Sequence, residues 1–132
     1  MAKESRIAHP RFKGIAPTSS SYSSAVEVAA GKLLVVSGQL PVDRDGNPVG
    51  GDSIKTQATQ IFENLKAICE ERGVGMDRIV KMNYYAADIN RFGEVRAVRE
   101  RYLQAPYPAA TAVEARVTGG HLLEVEMVVA LD

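Results

Sequence analysis

The sequence predicts an α+β fold in which two helices cover one face of a mixed β-sheet, and three patterns carry that expectation. Leu123, Val125 and Met127 alternate with Leu122, Glu124 and Glu126, the period of a strand with one face in a core. Ile54, Ala58, Ile61, Leu65 and Ile68 recur at helical spacing, with Phe62 and Cys69 widening the stripe. Between that helix and a second one, Ile79 to Ala87 again reads as a strand, with Val80, Met82, Tyr84 and Ala86 on one side.

Residues 1–20 form a polar N-terminal segment, with Lys3, Glu4, Arg6, Arg11 and Lys13 scattered along it and His9 as a solvated histidine. Tyr22 to Val28 alternates weakly, Ala29 to Gly31 reads as a turn and Leu33 to Val36 is an apolar run, so a hairpin is expected here. Asp43 to Pro48 packs Asp-Gly and Asn-Pro into one turn. Ser53 is placed to cap the first helix and Gly73 to end it in a left-handed conformation. Cys69 then falls in the core as a small hydrophobe. Asn90 is the expected cap of the second helix, whose inner side is Phe92, Val95, Val98 and Tyr102. Arg96, Arg99 and Arg101 read as a solvated face paired with Glu94 and Glu100. Pro106 and Pro108 end that helix, and the last two strands follow.

A length of 132 residues, with 45% hydrophobic and 24% charged, fits one domain spanning 1–132. Sixteen basic and sixteen acidic side chains cancel, so no global field draws the chain to nucleic acid or to an anionic membrane. No apolar stretch is long enough to span a bilayer. Cys69 is the single cysteine, which excludes an intrachain disulfide and a multi-cysteine metal site. His9 and His121 have no ligand cluster around them and no nucleotide-binding glycine loop is present, so neither metal nor cofactor is expected. A cytoplasmic location is the default. Leu33 to Val36 and Val128 to Leu131 are apolar on both strand faces, yet two helices cover only one face of a sheet, so the open faces of several copies are expected to pack into a closed homo-oligomer.

Five segments add a resemblance: Tyr22-Ser23-Ser24-Ala25-Val26, Ser37-Gly38-Gln39-Leu40-Pro41, Glu63 to Ile68, Asp88-Ile89-Asn90-Arg91-Phe92 and Leu123-Glu124-Val125-Glu126. In order and spacing they resemble the Rid (reactive intermediate deaminase) family, also called YjgF or L-PSP, from about Ser21 to the C-terminus. The resemblance implies a chorismate-mutase-like fold and a homotrimer with ligand pockets between subunits. It implies a small-molecule ligand and hydrolysis of 2-aminoacrylate-type enamines and imines to 2-keto acids and ammonia. Glu124 matches the glutamate that positions or activates water, and Tyr22, Ser37, Gly38, Phe92, Arg96, Ala110 and Ala112 match the substrate-binding positions. The family's carboxylate-binding arginine falls in a Pro-Ala-Arg-Ser segment that here is Pro108-Ala109-Ala110-Thr111, and a shift of one residue brings only Ala109. A family asparagine becomes Arg96 and a nearby tyrosine Arg99. Arg96 outreaches asparagine and is weighed as a relocated anchor for the space at Ala110, against membership of a solvated helix face.

Three readings stay open. One is an imine- or enamine-hydrolysing or tautomerising enzyme of altered substrate range, with weak or no typical 2-iminopropionate deaminase activity. The second is a non-catalytic, small-molecule-binding or protein-protecting trimer. The third is an RNA-directed activity, against which zero net charge and few aromatics count.

Overall fold

The computed structural model describes residues 6–29 and 31–132. Helix α1 is Ile54–Glu71, and its ends form as the sequence predicts. The Ser53 hydroxyl accepts the Thr56 N–H at 3.2 Å, and Gly73 sits just past the last turn at φ +72°. Its inner face buries Ile54, Ala58, Ile61, Phe62, Leu65 and Cys69, while Ile68 is half-buried. Gln57 shares that face because both polar atoms of its amide are bonded: Nε2 donates to the Gly51 carbonyl at 2.7 Å and Oε1 accepts the Leu122 N–H at 2.8 Å. Burial, reinforced by Asp77 and Glu70, pushes the Cys69 thiol up, which keeps it protonated.

Four strands make the main sheet: β3 (Leu33–Gln39), β4 (Ile79–Ala86), β5 (Ala109–Glu114) and β6 (Leu123–Ala130), in the order β3-β6-β4-β5. β4 and β5 are parallel and the other pairs antiparallel, so the sheet is mixed. A parallel pair needs a crossover, and helix α2 (Phe92–Tyr102) supplies it. Met82, Tyr84 and Ala86 of β4 join Leu123, Val125, Met127 and Val129 of β6 beneath the two helices in one core. The Phe62 and Tyr102 rings stack at 5.3 Å where α1 meets α2. On the opposite face Leu33 is 50% exposed, Val35 75% and Val113 43%, an apolar surface that none of the described residues covers.

Four expectations require correction. Tyr22 to Val28 makes no hairpin with Leu33 to Val36. Strand β2 (Glu27–Val28) instead pairs antiparallel with β1 (Ile7–Ala8), which lies inside the segment read as a polar entry with no strand of its own, and β3 pairs with β6. The apolar run from Leu33 finds its match along Val128 to Ala130, and this long-range pairing wins over the local one. Ala30 of the expected turn lies outside the described residues, as do Lys3 and Glu4. The cap before α2 is Asp88, whose carboxylate accepts the Asn90 N–H at 3.0 Å and starts a short 3₁₀ turn, Ile89–Arg91, leading into the helix. Arg99 is only 3% exposed and belongs to no solvated face, while Glu94 pairs with Arg91 at 3.5 Å instead of with Arg96, Arg99 or Arg101.

Candidate functional site

The parity of β4 sorts the candidate residues into two groups. Tyr84 lies beside Ala112 and points under the helices, whereas Tyr85 lies beside Glu124 and points to the open face. Tyr22, Phe92, Arg96, Ala110 and Ala112 gather in a cleft of about 410 Å³ between α2 and β5, together with Ser20, Tyr84, Ile89, Arg99 and Thr111. Glu124 and Gly38 gather on the other face with Tyr85 and Glu126. Ser37 precedes Gly38 and is exposed, lining neither group.

The open-face group is shaped by a β-bulge. Val36 pairs with Met127 and Gln39 with Val125, so Ser37 and Gly38 together oppose the single residue Glu126. That extra residue lays the bare backbone of Gly38 against the Glu124 side chain. A Cβ on Gly38 would overlap the carboxylate oxygen Oε2 and stand 2.7 Å from Cδ, so glycine is what allows the close approach. Glu124 has no hydrogen-bond or ion-pair partner among the described residues. Beside it, the Tyr85 hydroxyl donates a short hydrogen bond to Glu126 Oε1, which raises the Tyr85 pKa. Two carboxylates and a phenol thus stand together, with Glu124 left unengaged.

In the cleft, charge comes from the helix. Arg96 is exposed at the rim, its guanidinium 5.7 Å from the centre of the Phe92 ring. Arg99 enters beneath it: Nε donates to Ser21 Oγ at 2.9 Å and Nη2 to Ser20 Oγ at 3.4 Å. Its guanidinium lies 5.4 Å from the Tyr84 ring centre and 5.7 Å from that of Phe92. Burial pushes the Tyr84 phenol up to about 12, although Arg99 pulls it down. Arg99 was legible in one respect: it stands seven residues after Phe92, on the apolar side of α2. The Ser20 and Ser21 hydroxyls that meet it come from a distant segment with no periodic signal. Among the described residues no group of three or more His, Cys, Asp or Glu side chains is placed to hold a metal ion.

The fold is that of a small α+β protein with a mixed four-stranded sheet and two helices, and comparison with known proteins agrees with it. Residues 14–131 match the family described as endoribonuclease L-PSP. The chain is 35% identical over 129 residues to a RutC family protein, PYRAB12510, of Pyrococcus abyssi, covering 97% of each chain. It is 31% identical over 112 residues to a 2-iminobutanoate/2-iminopropanoate deaminase of Dermatophagoides farinae, covering 84% of this chain and 86% of that one. The crystal structure of RidA from the Antarctic bacterium Psychrobacter sp. PAMC 21119 superposes with a TM-score of 0.71 at 35% identity, over 87% of this chain and 93% of the other. The chain belongs to the Rid family, also called YjgF, L-PSP or RutC.

Proposed function

We propose that this chain hydrolyses or tautomerises a reactive imine, enamine or related small carbonyl compound, with Glu124 of one subunit facing the cleft of the next in a homotrimer. The observation that carries the reading is the Glu124 carboxylate, without a hydrogen-bond or ion-pair partner among the described residues and held against Gly38 by the bulge in β3. Glu124 and the cleft lie on opposite faces of one sheet, so a second copy has to bring them together. The exposed Leu33, Val35 and Val113 give that copy an apolar surface to cover. In hydrolysis the Glu124 carboxylate takes a proton from water as the water oxygen bonds to the imine carbon, and the C=N π pair moves to nitrogen. The same carboxyl then returns its proton to nitrogen, giving a carbinolamine, and in a second transfer Glu124 passes the carbinolamine hydroxyl proton to nitrogen as the C=O bond forms and the C–N bond breaks, so that ammonia and a carbonyl product leave.

Ala110 stands where the resemblance puts the family's carboxylate-binding arginine, and its methyl group holds no anion. Weak or no turnover of 2-iminopropanoate follows, since loss of a buried charge partner costs roughly 2–5 kcal/mol. A non-catalytic binding trimer is the second reading, favoured by the two guanidiniums in the cleft. An RNA-directed activity fits less well with a formal net charge of zero. A cytoplasmic setting is kept as the default for a chain with a single cysteine, and no helix of the described residues is long and apolar enough to cross a membrane.

The test is release of keto acid from imines generated by an amino-acid oxidase, in competition with semicarbazide trapping. Glu124→Gln is expected to lower turnover about 100-fold or more on the substrate that the parent hydrolyses fastest. Equal rates in parent and variant refute the catalytic role, and absence of turnover on every imine supports the binding reading.

A further inference from the structure

The cleft between α2 and β5 carries a charge imbalance. Its lining contains the guanidiniums of Arg96 and Arg99 and no carboxylate. A buried charge is ordinarily paired with an opposite one, because removing it from water is costly. Among the described residues the hydrogen-bond and ring partners of Arg99, at 3% exposure, are neutral: the Ser20 and Ser21 hydroxyls engage two of its N–H groups, and the Tyr84 and Phe92 rings lie against its planar group. Tyr84 is no counter-ion, since burial holds its phenol neutral at physiological pH. A leucine or methionine at this position of the apolar face would pack without that penalty. Against these two guanidiniums the Glu124 proposed to face the cleft from the next subunit supplies one carboxylate, so a net positive charge remains for a bound anion to balance.

We propose that Arg99 is the carboxylate-binding residue of the cleft, with Arg96 at its rim, and that the ligand is a small organic acid whose apolar body lies against Phe92, Ala110 and Ala112. This rests on reading the cleft as the substrate site and deepens it by naming the anchor and the substrate class. A guanidinium donates two parallel hydrogen bonds to one carboxylate, and a cleft of about 410 Å³ has room for a small organic acid. Ile89, Phe92, Ala110 and Ala112 favour a monoanion with an apolar body over inorganic phosphate, which needs donors on every side. Because the anchor stands on α2 and not on β5, a three-carbon imino acid binds but presents its C=N bond to a different point. Good binding and poor turnover of the shortest substrate are then compatible.

Calorimetric titration of the whole protein with pyruvate and with its neutral amide, pyruvamide, tests the proposal, alongside the Arg99 Nε–H resonance in ¹⁵N-arginine-labelled protein. Pyruvate is expected to bind about 30-fold or more tightly than pyruvamide, the discrimination a desolvated charge pair gives, and to shift the Arg99 resonance. Arg99→Gln, with its fold checked by circular dichroism, is expected to abolish the preference, while Arg96→Gln retains most of it. Equal affinity for acid and amide in the parent overturns the proposal, and so does pyruvate binding that leaves the Arg99 resonance unmoved. Phosphate displacing pyruvate at equal concentration overturns the choice of a carboxylate. If Arg99→Gln does not fold, the two measurements on the parent decide. Repeating them in Glu124→Gln separates the two ideas: an intact preference there supports the anchor whether or not Glu124 is catalytic.

Discussion

Gly38→Ala separates the placement of Glu124 from the stability of the sheet. The added methyl carbon would stand 2.7 Å from Glu124 Cδ and 2.9 Å from Cγ, where ordinary carbon contacts are about 3.5–4.0 Å. The side chain must withdraw by about 1 Å, and a misplacement of that size costs about 100-fold in rate. In activation free energy that is about 2.7 kcal/mol. Stability responds differently. Glu124 is half-buried and its end is free to turn, and Gly38 does not occupy the left-handed region, so alanine is allowed by the backbone. The reduced freedom of the unfolded chain contributes about 0.4–1 kcal/mol in favour of alanine, offsetting much of the contact cost. Imine turnover with semicarbazide competition and a urea denaturation curve are the two assays. A loss of about 100-fold, with stability within about 1 kcal/mol of the parent, is expected. Parent-like turnover refutes the reasoning, as does an equal loss when Gly38→Ala is added to Glu124→Gln, where no carboxylate remains to displace.

Gln57→Leu removes both hydrogen bonds that tie α1 to Gly51 and Leu122, leaving a carbonyl and an N–H unpaired, and is expected to cost about 2–4 kcal/mol in chemical denaturation. Tyr84 and Tyr102 are both raised to about 12, Tyr84 by burial and Tyr102 by burial and its hydrogen bond to Glu63, so an ultraviolet titration should find both phenols still protonated at about pH 11. Their folded pKa values exceed the unfolded ones, so this stability is fully present below about pH 10 and lost as pH rises through about 12. For buried Tyr84 the loss amounts to roughly 2–3 kcal/mol, and Tyr84→Phe should flatten that part of the profile. Cys69 should react with iodoacetamide only at the rate of local opening, and rapid alkylation of the native protein would contradict its burial.

Local rules revealed elements whose signal is contained within them. Ser53 and Gly73 bracket α1 because capping depends on residues a turn apart, and the alternation of β4 and β6 reports burial directly. The partners of β2 and β3 were not legible, because pairing is settled by distant segments: Ile7 for Val28 and Val128 to Ala130 for Leu33 to Val35. The bulge at Ser37 and Gly38 escapes for the same reason, since one strand cannot show how many residues oppose it. Asp88 displaced Asn90 as cap because the chain enters α2 through a 3₁₀ turn. Arg99 was read by residue type as solvated, although its position seven residues from Phe92 lies on the buried side. Site candidates fell into two groups because sequence resemblance names positions without saying which face of the sheet each occupies.

Whether one active site draws on two chains is tested most directly with mixed oligomers. Glu124→Gln lacks the carboxylate, Ala110→Phe fills the cleft, and each alone should be inactive. After subunit exchange, with the mixing and a mass of three chains verified by native mass spectrometry, a site between neighbours regains both working halves in about one quarter of cases, so about a quarter of the parent turnover should return. A mixed assembly that stays inactive would place Glu124 and the cleft in the service of the same chain and contradict the account.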